Sequence, residues 1–290
     1  MTRRKGVQNI ERWKARGYGS GSGTDYKPWL TVRSFGSRGM AHRVLGHKTG
    51  RIHHFHSNHE LGCFLLLEWN DKVIDIREQF PLHPVAETQR IATRLGYRHP
   101  VQRWNWKGKW RQQLAVQTSD FRVTFSDTSP VPEVIISVKP SAELEKRRVL
   151  EKLEIERTYW ERRSVGWQLV TEQELPQVII DNLNLVLPFR TLHGSVRKLD
   201  GSAIPEGSSE ALIEKLFRYI ERFNRSLKVA CREFEQDFGL QAGTGLCLVW
   251  HAVATKKWST DLSRPLNPSM QTTLVRRASS GGSSRKQELR

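Results

Sequence analysis

Two short β-prone runs, Phe121–Phe125 and Val134–Val138, flank Ser126-Asp127-Thr128-Ser129-Pro130, a stretch of turn-forming residues. An antiparallel hairpin with its turn near Ser129 follows, and no other feature constrains the chain as tightly. It sets Asp120 opposite a position near Val138, so Asp120 and Lys139 meet at the hairpin's open end. Val73–Leu82 predicts a further strand, with Ile74, Ile76, Phe80 and Leu82 on one side and Asp75, Arg77 and Gln79 on the other, stopped at Pro81 and Pro84. Ser57–Asp71 carries Leu61, Phe64, Leu65 and Leu67 at helical spacing. Ser141–Arg163 predicts a long charged helix whose apolar stripe includes Leu150, Leu153 and Trp160, and Val165–Val170 a returning strand. A mixed sheet flanked by helices, an α/β fold, is the economical way to bury these faces.

The second half reads as mostly helical. Ser209–Ser226, Leu227–Phe238 and Gly243–Ala254 are helices by period, the last two joined at Gly239. With Lys256-Lys257-Trp258 and a polar stretch behind them, they predict a helix-turn-helix with a wing. Leu199–Ser209 has loop composition. Residues 1–24, basic and ending in a Gly/Ser run, predict a flexible arm, and residues 271–290 a disordered basic tail. Between them lie domains over 25–175 and 176–270.

Lys and Arg number 47 against 30 Asp and Glu, a net charge of +17, which makes a polyanion the expected partner. Ten Trp and 37% hydrophobic residues exclude a disordered basic polymer. The longest apolar runs, Cys63–Leu67 and Leu246–Trp250, fall far short of the ~20 residues a membrane span needs. No apolar segment follows the basic N-terminus, so no signal peptide is expected. Three scattered cysteines (Cys63, Cys231, Cys247) fit a reducing cytosol rather than a disulfide framework.

Asp120 with Lys139 could hold a divalent metal, the carboxylate through oxygen and the ammonium beside a nucleophile or a phosphate. On sheets generally the commoner explanation of such a pair is a cross-strand ion pair. Glu60 could add a second carboxylate, or close a capping box with Ser57. Glu133, on the same strand face as Ser137, lies roughly 13 Å away at ~3.3 Å per residue, too far to share the ion of Asp120. The histidines His53, His54, His56 and His59 near Cys63 lack a tetrahedral zinc spacing. Tyr97–Arg111 interleaves Arg98, Arg103, Lys107, Lys109 and Arg111 with Trp104, Trp106 and Trp110: cations for phosphates beside rings for stacking. The alternative is a loop whose tryptophans cover the core.

The order of the pieces carries a resemblance. Asp25-Tyr26-Lys27-Pro28-Trp29, then His47-Lys48-Thr49-Gly50-Arg51, Glu60-Leu61, Leu67-Glu68-Trp69, the run Asp75-Ile76-Arg77-Glu78-Gln79-Phe80-Pro81-Leu82, Val138-Lys139-Pro140 and Leu150-Glu151-Lys152-Leu153-Glu154 stand in sequence. This stretch, Asp25 to Val170, resembles the TnsA endonuclease subunits of heteromeric cut-and-paste DNA transposases, and beyond Leu175 the resemblance is faint. It implies a restriction-endonuclease-like fold followed by a small, mainly α, winged-helix-like domain. It implies Glu60, Asp120 and Lys139 as catalytic residues, and Mg²⁺ (Mn²⁺ as substitute) at Glu60 and Asp120. It also implies double-stranded transposon-end DNA as substrate, a TnsB-like transposase cutting the other strand, a TnsC-like ATP-dependent regulator, and a cytoplasmic, nucleoid-associated protein. In place of the acid or amide such proteins carry two residues before the lysine stands Ser137, so the metal is expected to lean on Asp120, the Val138 carbonyl and water, with Ser137 a weak neutral ligand. DNA contacts are expected at Arg98, Arg103, Trp104, Trp106, Lys107, Lys109, Arg111, Lys256 and Lys257. The alternatives are an inactive architectural subunit and a helix-turn-helix transcriptional regulator.

Overall fold

The structure, a computed structural model, describes residues 10–33, 40–192, 196–204, 206–222, 225–270 and 272–276. Its elements are α1 (Ile10–Ala15), β1 (His42–Gly46), β2 (Arg51–Phe55), α2 (Asn58–Trp69), β3 (Val73–Pro81), α3 (Val85–Arg94), β4 (Val101–Trp106), β5 (Lys109–Leu114), β6 (Thr118–Phe125), β7 (Glu133–Val138), α4 (Arg147–Glu161), β8 (Gly166–Val170), α5 (Gln177–Val186), α6 (Glu206–Arg222), α7 (Leu227–Asp237), α8 (Thr244–Ala254), β9 (Trp258–Ser259) and β10 (Val275–Arg276). The chain divides into two compact units, 1–176 and 177–290.

The first unit is built on a four-stranded mixed sheet in the order β3-β6-β7-β8. The predicted hairpin is β6–β7, with Phe121 opposite Ile136 and Thr124 opposite Glu133. β8 then joins β7 in parallel, Val138 opposite Val170, so a crossover helix is required, and α4 supplies it. A core of Leu82, Ile91, Ala92, Ile135, Ile155, Tyr159 and Trp160 joins α3 and α4 to the sheet. A second aromatic group, Phe55, Phe64 and Phe121 with the ring of His53, ties the β1–β2 hairpin and α2 to β6, at centroid separations of 4.7–5.9 Å.

Several sequence expectations need correction. Ile74 is 52% exposed, and Glu78 and Gln79 are both buried in succession. A bulge between Val73 and Asp75 and a left-handed Gln79 (φ 49°) break the simple alternation of β3. The helix expected from Ser141 begins as a 3₁₀ turn, Ser141–Glu145, before α4. Leu150 is exposed, and the stripe that α4 buries is Leu153, Ile155, Glu156, Tyr159 and Trp160. The expected arm over 1–24 is folded from residue 10: Trp13 packs edge-on against Trp29 at 5.1 Å, and the Gly19 N–H donates to the Lys27 carbonyl. Its first nine residues lie outside the described residues. Within the expected tail, Val275 and Arg276 pair with β9; residues 277–290 lie outside the described residues.

In the second unit α8 is the central helix. Thr244, Gly245, Leu248, Val249, Trp250, Ala252, Val253 and Ala254 are buried and no residue of it is exposed. Gly245 lets it meet α7 closely, since a Cβ there would lie 2.7 Å from that of Cys231. A groove-reading helix needs a free polar face, and α8 has none. Lys256 and Lys257 are half-buried, and Lys257 pairs with Glu210. Among the described residues no helix is long and apolar enough to cross a membrane.

Candidate active site

The ladder between β6 and β7 ends at Phe121 opposite Ile136, and the polar groups beyond it pair differently. Asp120 Oδ2 accepts from the Val138 N–H and from Lys139 Nζ, both at 2.7 Å. Lys139 Nζ also donates to the Val138 carbonyl at 2.9 Å, while the Lys139 N–H is anchored on the Val170 carbonyl of β8. Burial opposes the ammonium, but Asp120 prevails and raises the Lys139 pKa. The cross-strand ion pair foreseen from sequence is therefore present, and it stands inside a larger group.

Glu60 enters from the first turn of α2. Ser57 caps the helix by accepting from the Glu60 N–H at 3.1 Å, and its hydroxyl donates to Glu60 Oε1. Oε2 accepts from the His56 N–H at 3.1 Å. The capping arrangement thus points the carboxylate at Asp120 instead of competing with that orientation. Burial first, and the charge of Asp120 second, push the Glu60 pKa up to about 7.

The structure sets Ser137 apart from this group: its hydroxyl donates to Glu156 of α4 at 2.5 Å, and it is fully buried there. Burial and then Asp120 push the Glu156 pKa to about 7. Glu133 forms a bidentate pair with Arg122 on β6, away from the centre. Gln79 lies inside it. Its Nε2 sits 3.4 Å from Glu60 Oε2 and 3.5 Å from Asp120 Oδ1, and its Oε1 accepts from Thr118 Oγ1 at 3.0 Å. Next to it, Glu78 accepts from both guanidinium nitrogens of Arg51 (2.9 and 2.6 Å), from His53 Nδ1 and from the His54 N–H. Burial opposes the Glu78 charge, but His53 and Arg51 together lower its pKa to about 2.

Sequence reasoning missed Gln79, Glu78 and Glu156. Strand alternation turns Gln79 outward, and only its left-handed backbone reverses that. Glu156 was hidden among the paired charges of α4, although its spacing from Leu153 (i+3) and to Trp160 (i+4) places it on the buried stripe.

The donors of the centre suit a hard divalent cation. Lys139 Nζ already bridges Asp120 Oδ2 and the Val138 carbonyl, a cation between two oxygens. The nearby Cys63 thiol is held protonated, its pKa pushed to about 12 by burial and then by Asp120 and Glu60, so no soft ligand competes. Among the described residues no three His, Cys, Asp or Glu side chains form a metal-binding group. Two carboxylates with neutral oxygens are donors a hard cation could take, and not those of a zinc cage.

Tyr97–Arg111 is no loop. β4 and β5 form an antiparallel ribbon closed by Lys107-Gly108, both at positive φ, with Trp104 opposite Arg111. Arg103, Lys107, Lys109 and Arg111 are exposed, Trp104 is half-buried and Trp110 is 75% exposed. The Trp106 side chain lies outside what is described. Arg98 and Arg103 line a groove of about 940 Å³ together with Arg147, Arg148 and Lys152 of α4.

An α/β unit in which α2 and the mixed sheet bring two carboxylates and a lysine to one point has the make-up of an endonuclease-like domain. Residues 70–172 match the family model TnsA-like endonuclease N terminal, and residues 174–262 match TnsA endonuclease C terminal. The chain belongs to the TnsA endonuclease family. It is 43% identical over 185 residues to the transposon Tn7 transposition protein TnsA of Escherichia coli, a stretch covering 64% of this chain and 64% of that protein. The likeness therefore does not fade at Leu175 as the sequence reading expects, since the C-terminal model begins there.

Proposed function

We propose that the chain is the DNA endonuclease subunit of a heteromeric transposase, hydrolysing phosphodiesters at the 5′ ends of a mobile element with Mg²⁺, or Mn²⁺ in its place. The convergence of Glu60, Asp120 and Lys139 from α2, β6 and the end of β7 carries this reading. Glu60 and Asp120 would hold the cation, with the Val138 carbonyl as a neutral oxygen. When bound, the cation lowers the pKa of the attacking water and stabilises charge on the phosphate. Glu60, whose carboxylate is aimed at the same point by Ser57 and the His56 N–H, would hold the cation or orient the attacking water. Lys139, kept cationic by Asp120, faces the charge that develops on the phosphate oxygens.

Double-stranded transposon-end DNA is the substrate in this reading, its phosphates met by Arg98 and by Arg103, Lys107, Lys109 and Arg111 of the β4–β5 ribbon. Trp104 and Trp110 supply aromatic surface beside them. A TnsB-like transposase cuts the complementary 3′ ends. The second unit, mainly helical with β9–β10 in the place of a wing, docks the TnsC-like ATP-dependent regulator; its fully covered α8 favours a partner over a DNA groove. Cleavage of transposon-end DNA with the partner transposase supplied tests the assignment. Asp120→Ala and Lys139→Ala should each reduce 5′-strand cutting at least ~100-fold while DNA binding persists. Equal cutting by wild type and Asp120→Ala would refute it and leave an architectural subunit.

A further inference from the structure

Gln79 stands in an improbable conformation for its sequence. It is a non-glycine residue inside a strand at φ 49°, the left-handed region that disfavours a side chain. Both flanks hold it there. The Gln79 carbonyl accepts from the Trp29 N–H at 3.2 Å, and the preceding Glu78 carbonyl accepts from the Tyr26 hydroxyl at 3.0 Å. The Glu78 carboxylate is fastened by Arg51 and His53. In an unkinked strand Gln79 would face away from its neighbour's side; here two consecutive side chains are buried, and the second delivers its amide between Glu60 and Asp120.

The amide is also supported so that either of its ends can face the acids. Its Oε1 accepts from Thr118 Oγ1, and a hydroxyl accepts as readily as it donates. A half-turn of the amide therefore keeps the Thr118 bond, now with Nε2 donating, and aims Oε1 at the space the two carboxylates share. Nε2 satisfies the acids when no ion lies between them; Oε1 suits a cation. Ser137, the other neutral side chain near the lysine, is spent on Glu156.

We propose that Gln79 is the third side-chain oxygen donor to the divalent cation held by Glu60 and Asp120, and that the left-handed kink of β3 exists to present it. The proposal rests on the cation reading above, and the experiment separates the two. Mn²⁺ binding to the full-length protein is measured by titration calorimetry and by the electron paramagnetic resonance signal of free Mn²⁺. Gln79→Ala should weaken Mn²⁺ about tenfold, within the range seen when a residue supporting a metal site is lost. Gln79→Gly removes the same amide but accepts positive φ, so it should melt at or above the wild-type temperature and still lose Mn²⁺ affinity. Gln79→Glu should restore tight binding. Unchanged Mn²⁺ affinity in Gln79→Gly overturns the role of Gln79 while leaving the cation site intact. A wild type that binds no Mn²⁺, or an Asp120→Asn variant that binds it equally well, overturns the cation reading itself and this proposal with it.

Discussion

Glu60 and Glu78 lie 18 positions apart and bend the stability of the protein in opposite directions with pH. Glu78 has a folded pKa of about 2 against an ordinary 4.5, so its contribution is full above pH 4.5 and is lost as pH falls towards 2. Glu60 and Glu156 have folded values of about 7, so the native state holds protons the unfolded chain releases above 4.5. Their effect is a decline in stability as pH rises from 4.5 through 7. The candidate centre therefore costs stability at the pH where Glu60 is ionised. Glu60→Gln should melt higher than wild type at pH 8, by roughly 1–3 kcal/mol, and show no such gain at pH 5. Mg²⁺ should raise the wild-type melting temperature at pH 8 and leave Glu60→Gln unmoved. Glu78→Gln should do the reverse at neutral pH, stranding Arg51 and His53, at a cost of about 3–5 kcal/mol. Thermal melts across pH 4–8 read all three, and a Glu60→Gln profile parallel to wild type would sink the assignment of the burial penalty to that carboxylate.

Among the described side chains of the β4–β5 ribbon none is buried. Its outer positions carry Arg103, Lys107, Lys109 and Arg111, and the neighbouring groove adds Arg98, Arg147, Arg148 and Lys152 with Glu151 as the acid in its lining. If the ribbon meets the DNA backbone, replacing its four cations by alanine should lower the slope of log affinity against log salt by about 3–4, at ~0.9 per phosphate contact. Fluorescence anisotropy at several salt concentrations measures this, and an unchanged slope would leave the ribbon without a role in DNA binding. Elements of this kind explain where sequence reading succeeds and fails. The β6–β7 hairpin, the returning β8 and the helices α6, α7 and α8 were legible because apolar residues marked a buried face at period 2 or 3.6, whereas α5 was not read. The ribbon was not, because its tryptophans alternate with cations and amides without marking a buried face: Trp110 is 75% exposed and Trp104 only half-buried. The kink of β3 was not, because nothing in Glu78-Gln79 marks a left-handed backbone in the way a glycine would. Asp120 and Lys139 were legible through hairpin register; Gln79 and Glu156 enter through tertiary contacts that no local pattern encodes.

The two units have separate cores, one around Ile135, Ile155 and Trp160, the other around α8. Glu60, Gln79, Asp120 and Lys139 all belong to the first, so an ion they take would bind that unit. A ligand that binds only the folded form stabilises it by mass action, by ~2.7 kcal/mol at one hundred times its dissociation constant. Each unit has the size and core to unfold as its own cooperative transition. Scanning calorimetry of the full chain should then resolve two transitions, and saturating Mn²⁺ should raise one of them while the other stays in place. Asp120→Asn should abolish that shift without moving the second transition. A single transition displaced as a whole by Mn²⁺ would mean that the units unfold together. In that case the second unit would feel the state of the active centre directly, and a regulator docked there would have a thermodynamic route to it.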